Sequence, residues 1–303
     1  MAPGDIQERM DRELSGNGMS RIRNELTALS AEMDTLDLPC PGCDGDPFLP
    51  VVIRNNFRIV RCRACRSLYA RPRPIEAQLA RIYEKFPQLS NGREGQVNDD
   101  PEDGAREAKD RLSRLLQFVR TGHLLDIGCG KGDFLSAASR IFVVQGVDVA
   151  PRLRQEARGL PVFKGQLEEA AFPQASFDVV TAVEVFEHLF APQRTLREIH
   201  RILKPNGVLL FQTGDADSFL ARLNPNTWTY LEPPVHLNVF SRKALQDLAE
   251  KIGFKPLYSW SFDRAPQKLP ILGGRRSSTA FRPLLDLAAR QGIIGATFVW
   301  RKG

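Results

Sequence analysis

Three glycines at alternate positions follow a short apolar segment near the middle of the chain. Residues 123–127 are predicted to form a strand, the glycines are Gly128, Gly130 and Gly132, and a helix is predicted to begin near Asp133. Because glycine has no Cβ, a ligand can lie directly against the backbone of such a turn. A strand, a glycine turn and a helix are typical of the first unit of a doubly wound α/β sheet, which binds ligands at the carboxyl ends of its strands.

The charges around this turn indicate which ligand it would bind. A dinucleotide site usually has the spacing Gly-x-Gly-x-x-Gly and a helix N-terminus that is free to bind a pyrophosphate. Here the spacing is Gly-x-Gly-x-Gly, and two acidic residues, Asp126 and Asp133, flank the turn. Both would repel a pyrophosphate, but both suit S-adenosylmethionine (SAM), which carries an ammonium and a sulfonium group. The alternative roles are a strand-end cap for Asp126 and a helix N-cap for Asp133.

A third acidic residue, Asp148, follows the second predicted strand, residues 142–147, and lies 20 residues after Gly128. A carboxylate at this position can accept hydrogen bonds from both hydroxyls of a ribose. SAM and NAD share this ribose, so Asp148 does not distinguish between them. The choice of SAM therefore depends on the glycine spacing and on the flanking acids.

The motifs in this part of the chain resemble those of class I SAM-dependent methyltransferases. The matching segments are Asp126-Ile-Gly-Cys-Gly-Lys-Gly132, Gly146-Val-Asp148, Phe177-Asp-Val-Val180, Glu184-Val-Phe-Glu-His-Leu189 and Leu203-Lys-Pro-Asn-Gly207. The resemblance implies an α/β, doubly wound, Rossmann-like fold with a seven-stranded sheet whose last strand is antiparallel. The cofactor-binding residues predicted from the motifs and from this resemblance are Asp126, Gly128, Cys129, Gly130, Gly132, Asp148, Val149, Leu167, Val183 and Glu184.

Apolar patterns outside the motifs predict alternating strands and helices, which favours a parallel sheet. Further strands are predicted at 162–163, 177–183, 208–212, 254–262 and 293–300. Helices are predicted at 75–86, 105–120, 192–203, 241–252 and 281–291, with one more beginning after Pro151.

Four of the five cysteines form two Cys-x-x-Cys pairs separated by 18 residues: Cys40, Cys43, Cys62 and Cys65. Each pair can direct two thiolates at one ion, and two pairs complete a tetrahedral zinc site. Four thiolates fill the coordination sphere, so the predicted zinc is structural; a set of free or oxidised thiols is the alternative. A hairpin with its turn at Asn55-Asn56 is predicted between the pairs. The segment is similar to the zinc ribbon of a methyltransferase branch that often acts on sugars and other small molecules.

The residues between 54 and 73 include seven arginines and no acid: Arg54, Arg58, Arg61, Arg63, Arg66, Arg71 and Arg73. A four-thiolate zinc centre carries a formal charge of about −2 and would offset part of this positive charge. The remainder could bind phosphate on a nucleotide-sugar, on a carrier-bound acyl group or on RNA. The alternative is a solvated basic face.

Aromatic residues and a histidine follow the fifth predicted strand of the sheet, where the acceptor pocket is expected. Trp228, Tyr230 and His236 suit a ring-shaped acceptor. His236 is the first candidate for a general base, and His188, which follows the fourth predicted strand, is the second. Either could instead be a structural histidine. Tyr230 could orient the acceptor.

Composition and motif positions predict four segments. They are a helical N-terminal segment at 1–37, which could form a homodimer contact or cover the active site, a zinc ribbon at 38–73, a helix with a linker or lid at 74–104, and the methyltransferase domain at 105–303. The net charge of +6 is mild for 303 residues. No apolar run of about 18 residues predicts a membrane span, and the first residues lack an apolar signal core. We therefore expect a cytoplasmic protein without a membrane partner.

The predicted reaction transfers a methyl group from SAM to a hydroxyl oxygen of a sugar or another ring-containing small molecule, which could be anionic or carrier-linked. No Asn-Pro-Pro-Tyr type signature follows the fourth predicted strand of the sheet, which disfavours methylation of nucleic-acid amino groups. One alternative is a zinc-containing RNA methyltransferase, which the arginines would serve. The other is a non-catalytic SAM-binding scaffold, against which the histidines near the methyl position argue.

Overall fold

The computed structural model describes residues 27–85, 101–218, 221–222, 230, 232–262 and 295–303. The strands are β1 (Thr35–Leu36), β2 (Phe48–Arg54), β3 (Phe57–Cys62), β4 (Leu68–Ala70), β5 (Arg73–Pro74), β6 (His123–Ile127), β7 (Val143–Asp148), β8 (Val162–Lys164), β9 (Phe177–Val183), β10 (Leu203–Gly214), β11 (Asn238–Val239), β12 (Phe254–Phe262) and β13 (Gly295–Lys302). The longer helices are α1 (Glu76–Lys85), α2 (Pro101–Leu115), α3 (Asp133–Ala138), α4 (Pro192–Ile202) and α5 (Arg242–Ile252). In this described part, no helix is long and apolar enough to cross a membrane.

Seven strands form the main sheet in the order β12-β13-β10-β9-β6-β7-β8. The strands from β10 to β8 in this order pair in parallel, whereas β13 is antiparallel to both β10 and β12. The prediction of a seven-stranded sheet with an antiparallel last strand is therefore confirmed. The strand order reverses between β6 and β9, and such a reversal opens a crevice at the carboxyl ends of these strands.

Alternate residues of the central strands pack on opposite faces of the sheet. Leu124, Val179 and Leu210 lie in one apolar cluster with residues of α2 and α3, whereas Leu125 and Val180 lie in a second cluster with residues of α4 and α5. Because both faces are covered, the strands are near-continuous apolar segments, as is usual in parallel sheets. This packing holds the carboxyl ends of β6 and β9 in place.

The cysteine segment shares a second sheet with the C-terminal half of the chain. The order of this antiparallel sheet is β11-β4-β3-β2, and Asn238 and Val239 of β11 pair with Tyr69 and Leu68 of β4. The hairpin between β2 and β3 turns at Asn55-Asn56, whose φ values are 47° and 65°. Two positive φ values are typical of a type I′ turn, so the predicted hairpin is confirmed.

Two predicted elements differ in the structure. The segment after Pro151 contains only a 3₁₀ turn at Gln155–Ala157, because the amides of Arg152 and Arg154 donate to the carbonyls of Gly130 and Lys131 instead of to a helix. Helix α2 begins at Pro101, earlier than the predicted residue 105. Proline suits the first helical position, and the acidic residues after it favour a helix N-terminus. The predicted helix at 281–291, Trp228 and most of the segment 1–37 lie outside the described residues.

Candidate cofactor and acceptor site

A cavity lies at the carboxyl ends of β6, β7 and β9, with an empty volume of about 910 Å³ that includes its open mouth. Five predicted cofactor-binding residues line it: Gly128, Asp148, Val149, Leu167 and Glu184. The other five, Asp126, Cys129, Gly130, Gly132 and Val183, are not among the lining residues. The cavity also receives side chains from α1 and from the segment before α4, so its wall combines residues from distant parts of the chain.

The glycine turn has a backbone conformation that favours glycine. Gly128, Gly130 and Gly132 have φ values of 69°, 51° and 78°. A Cβ on Gly128 would lie 2.6 Å from Cγ2 of Val185, and a Cβ on Gly132 would lie 2.5 Å from Cβ of Ala157. Gly128 and Gly132 are therefore required by close packing as well as by backbone conformation, and Gly130 is favoured by its backbone conformation.

Asp148 is held by two backbone amides. Its Oδ2 accepts a hydrogen bond from the Gly130 amide at 2.8 Å, and its Oδ1 accepts one from the Ala150 amide at 2.7 Å. Burial raises the pKa of this carboxyl, although both amides favour its ionised form. Each carboxylate oxygen retains a lone pair, so Asp148 can accept hydroxyl groups from a ligand in the cavity.

The two acidic residues that flank the glycine turn contact groups of the protein itself. Asp126 is buried and accepts a hydrogen bond from the Thr181 hydroxyl at 2.6 Å. Asp133 forms an ion pair with Arg154 at 2.9 Å, on the side of the turn that faces α2. Gly132 is the N-cap of α3 and no side chain caps that helix, so Asp133 is not an N-cap. The acidic residues that line the cavity are instead Asp148, Glu184, Glu76 and Glu168.

Replacing Asp126 by asparagine is expected to increase the free energy of unfolding at high pH. Burial raises the pKa of Asp126 to about 6, although the Thr181 hydroxyl acts in the opposite direction. Because this pKa lies about two units above the unfolded value, ionisation costs the folded state about 3 kcal/mol above pH 6, and this cost disappears below about pH 4. In urea unfolding at pH 8, the Asp126→Asn variant should therefore have a higher free energy of unfolding than the unmodified protein. Near pH 4.5 the two free energies should differ little.

Asp178→Asn is the control for this pH dependence, because the pKa of the Asp178 carboxyl is lowered whereas that of Asp126 is raised. Although partial burial opposes it, hydrogen bonds from Lys204 and the His123 amide lower the pKa of Asp178. This carboxylate therefore stabilises the fold at neutral pH and loses that contribution as the pH falls through its folded pKa. The Asp178→Asn variant should be less stable than the unmodified protein at pH 8. If the difference in stability between the Asp126→Asn variant and the unmodified protein does not change with pH, the pKa of Asp126 is not raised by burial.

The three predicted catalytic residues lie together next to the cavity. His188 lines the cavity, and its ring centroid lies 4.6 Å from that of His236. Nδ1 of His236 lies 2.7 Å from the carbonyl oxygen of Tyr230. Burial, and then the neighbouring His236, hold the pKa of His188 well below its usual value. His188 is therefore a neutral imidazole at neutral pH.

Tyr83 of α1 is a further residue of this cluster, and the sequence did not identify it. Its hydroxyl lies 2.9 Å from Nδ1 of His188 and donates to the carbonyl of Val235 at 3.3 Å. Tyr83 belongs to an apolar stripe on its helix, which predicts a core residue. No local signal distinguishes it from its buried neighbours Leu79 and Ile82.

Tyr230 connects two carboxyl groups at the end of β9. Its hydroxyl lies 2.7 Å from Oε2 of Glu184 and also contacts Oε1 of Glu187. One hydroxyl has only one proton to donate, so one of the two carboxyl groups must be protonated to complete both hydrogen bonds. Burial and the charge of Glu184 raise the pKa of Glu187 well above its usual value. The raised pKa makes Glu187 the group that carries this proton.

The four predicted metal-ligating cysteines meet at one point. Their sulfurs, in Cys40, Cys43, Cys62 and Cys65, all lie within 4.8 Å of one another. The Cys40–Cys65 and Cys43–Cys62 sulfur distances are both 3.5 Å. A disulfide requires about 2.05 Å, whereas bonds of about 2.3 Å to a tetrahedral zinc ion place sulfurs about 3.8 Å apart. The cluster therefore fits a zinc ion.

Five of the seven arginines in the cysteine segment have partners within the protein, and one of them, Arg61, donates to the Arg66 carbonyl at 3.2 Å. Arg54 pairs with Glu232, Arg66 lies 3.9 Å from Asp217, and Arg71 pairs with Asp37 and Asp46. Arg73 donates to the carbonyls of Phe190 and Pro39, and its burial lowers its pKa to about 10. These contacts occupy part of the positive charge that was expected either to bind phosphate or to form a solvated basic face.

The sequence is similar to a methyltransferase domain family and to individual methyltransferases of known sequence. A family model for a methyltransferase domain matches residues 101–259. A probable S-adenosylmethionine-dependent methyltransferase of Mycolicibacterium smegmatis is 31% identical over 147 residues, which are 47% of this chain and 55% of that protein. The ubiquinone biosynthesis O-methyltransferase of Pseudomonas syringae pv. tomato is 34% identical over 165 residues, 50% of this chain and 66% of that protein. The chain thus spans between half and two thirds of these two relatives.

Solved structures share the fold. The crystal structure of Burkholderia thailandensis 1,6-didemethyltoxoflavin-N1-methyltransferase, with bound 1,6-didemethyltoxoflavin and S-adenosylhomocysteine, superposes with a TM-score of 0.51. It is 18% identical, and the match covers 84% of this chain and 98% of that one. The likeness extends to the α/β fold of the main sheet, at whose strand ends the cavity lies.

Proposed function

The chain belongs to the methyltransferase domain family, and on this premise we propose that it transfers a methyl group from SAM to a hydroxyl oxygen of a ring-containing small molecule. The observation that carries the proposal is the unpaired Nε2 of His188. It is buried, it has no hydrogen-bond partner within the described residues, and its side chain lines the cavity that the cofactor residues Gly128 and Asp148 also line.

The proton on the His188 ring can be assigned from its neighbours. Nδ1 lies 3.1 Å from the carbonyl oxygen of Val235, which can only accept a hydrogen bond. The Tyr83 hydroxyl, 2.9 Å from the same Nδ1, can give its own proton to the Val235 carbonyl. We therefore assign the ring proton to Nδ1, which leaves Nε2 with its lone pair. This lone pair could accept the proton of an acceptor hydroxyl bound in the cavity. This assignment places His188 ahead of His236, which does not line the cavity.

The residues present fit SAM. Gly128 offers bare backbone, and Asp148 would accept the ribose hydroxyls while Val149 and Leu167 contact the adenine side. The carboxylate of Glu184, which lines the same cavity, would lie near the positive charges of the ligand. When bound, SAM supplies a methyl group that is already activated by the sulfonium sulfur. The protein then has to align the acceptor with this group and remove its proton.

An oxygen acceptor on a small molecule is supported by the cavity and by a relative. The wall of the cavity includes Tyr83, Leu79 and Phe190, which suit one face of a ring such as that of a sugar or phenol. The Pseudomonas syringae relative is a ubiquinone biosynthesis O-methyltransferase. An RNA acceptor is less favoured, because five of the arginines that would bind phosphate already contact groups of the protein.

We also propose that Cys40, Cys43, Cys62 and Cys65 bind a structural zinc ion, which four thiolates would coordinate fully. The cysteine cluster contacts the methyltransferase domain directly, since Ser241 at the N-cap of α5 donates to the Cys65 carbonyl and its amide donates to Ser67. Zinc would thereby hold α5 and β11 against the cysteine segment.

The test measures cofactor binding and turnover separately. Calorimetry with S-adenosylhomocysteine should detect binding, and a panel of sugars, phenols and acyl groups on a carrier should include a methylated oxygen. We expect His188→Ala to lower kcat by about 10²- to 10⁴-fold, as is typical for loss of a general base, with little change in the Kd of the cofactor. His123→Ala, which removes a histidine with an exposed side chain, is the control. Cofactor binding without methylation of any acceptor would favour the scaffold alternative.

A further inference from the structure

We propose that Glu187, His188 and His236 bind a divalent transition-metal ion beside the cavity. A potential ligand atom of each residue lies within 4.8 Å of the others. Metal bonds of about 2.0 to 2.2 Å place neighbouring ligand atoms about 3 to 4 Å apart, so small side-chain rotations would complete the site. The ion binds independently of the reaction, whereas its role in the reaction rests on the proposed function.

Both histidines are anchored in the manner of metal ligands. His236 directs Nδ1 at the Tyr230 carbonyl at 2.7 Å, and His188 directs Nδ1 at the Val235 carbonyl at 3.1 Å. A carbonyl oxygen only accepts hydrogen bonds, so Nδ1 of His236 carries the ring proton. We assign the proton of His188 to Nδ1 as well, with the Tyr83 hydroxyl donating to the Val235 carbonyl. Each Nε2 then retains a lone pair. Histidines that bind metals usually donate their other ring N–H to such a carbonyl or carboxylate, which sets the ring orientation.

The carboxyl group of Glu187 provides the third ligand. Glu187 is fully buried, and no lysine or arginine pairs with it in the part of the chain that the structure describes. Thr213 donates to its Oε2 at 3.0 Å and Tyr230 contacts its Oε1. A carboxylate has about four lone-pair sites, so these hydrogen bonds leave room for a metal bond. The ion would take the place of the proton that Glu187 shares with Tyr230.

The donor set favours a particular class of ion. Two imidazoles and one carboxylate suit zinc, cobalt, nickel or ferrous iron better than magnesium or calcium, which prefer oxygen ligands. Three protein ligands leave a coordination position open, as catalytic zinc sites do. The orphaned Nε2 of His188 belongs to a side chain that lines the cavity, so the open position would be accessible to a ligand oxygen there. The four-thiolate cluster, in contrast, has no open position.

An ion here would change how the acceptor is deprotonated. A hydroxyl bound to the ion loses its proton at a much lower pH than a free hydroxyl does, and that proton would pass to solvent at the cavity mouth. Nε2 of His188 cannot both bind the ion and accept a proton. A chelator should therefore stop methylation if the reaction depends on the ion, and should leave it unchanged if His188 is the base.

The experiment loads the full-length protein with cobalt and counts the ions by mass spectrometry. We expect two ions per chain, one at the cysteine cluster and one at Glu187, His188 and His236. His236→Gln and Glu187→Gln should each retain only one, whereas the control His123→Ala should retain both. An anomalous difference map from a crystal of the unmodified, cobalt-loaded protein locates the second ion even if the variants do not fold. One ion per chain, confined to the four sulfurs, would overturn the proposal.

Activity measurements separate this proposal from the proposed function. If the second ion is bound and no hydroxyl acceptor is methylated, the metal site stands and the proposed reaction is wrong. If methylation persists after a chelator has removed a second ion that was bound at Glu187, His188 and His236, the metal site and the reaction both stand, but the ion has no role in the reaction and His188 acts as the base. Loss of both the ion and the turnover, followed by recovery when cobalt or zinc is restored, supports both.

Discussion

Serine in place of Cys65 is expected to abolish zinc binding at the cysteine cluster and to lower the free energy of unfolding by several kcal/mol. Structural zinc contributes about 10 to 16 kcal/mol to small zinc-binding peptides, and a site with three thiolates retains only part of this. Cys65 is buried, and its carbonyl accepts a hydrogen bond from the N-cap residue Ser241. Loss of the ion should therefore also loosen α5.

Zinc content and thermal unfolding measure this effect. At about 2 to 4 °C per kcal/mol for a chain of this size, we expect Tm to fall by about 10 °C or more. A chelator should lower the Tm of the unmodified protein to a similar value and should change the variant little. Cys129→Ala is the matched control, because this cysteine is also buried but lies outside the cluster. A Cys65→Ser variant that keeps both its zinc and its Tm would refute a structural zinc site.

Alanine in place of Gly128 is expected to weaken SAM binding by about 10- to 100-fold and to destabilise the fold. Gly128 has a φ of 69°, which costs other residues about 1 to 2 kcal/mol. The new Cβ would also lie 2.6 Å from Cγ2 of Val185, and relieving such a contact typically costs about 1 to 3 kcal/mol. Val185 and Gly128 both line the cavity, so the displacement would alter the surface that the cofactor contacts.

Gly159→Ala isolates the effect of the contact from that of the backbone conformation. Gly159 has a φ of 88°, and nothing lies within 4 Å of a Cβ at this position. We expect both variants to lose stability from the positive φ, and only Gly128→Ala to lose cofactor affinity as well. Calorimetry with S-adenosylhomocysteine provides the affinity, and urea unfolding provides the stability. Equal affinities in the two variants would show that the glycine turn does not contact the cofactor.

Features set by a few consecutive residues were predictable. The hairpin turn follows from Asn55-Asn56, because asparagine tolerates the positive φ that a type I′ turn needs. The N-cap of α5 follows from Ser241, whose hydroxyl accepts a hydrogen bond from the Ala244 amide. The segment after Pro151 was predicted wrongly as a helix, because its amides bond to the glycine turn and such a long-range partner leaves no local pattern.

The roles of the charged residues were also only partly predictable. Asp126 and Asp133 were assigned to the ligand from their positions in the sequence, whereas in the structure Thr181 and Arg154 are their partners. Asp148 lines the cavity as expected. Charge patterns in a sequence do not reveal pairing across strands and loops, because that pairing depends on which segments the sheet brings together.

The sequence by itself determined the α/β fold, the glycine turn and the two cysteine pairs, because strand periodicity, positive φ and ligand spacing are properties of short segments. Only the tertiary structure decided which side chains meet at the cavity. Tyr83 contacts His188 across 105 residues of sequence, and His188 and His236 become neighbours because β9 and the segment before β11 converge. Burial of apolar side chains on both faces of the main sheet sets this convergence, and no single segment encodes it.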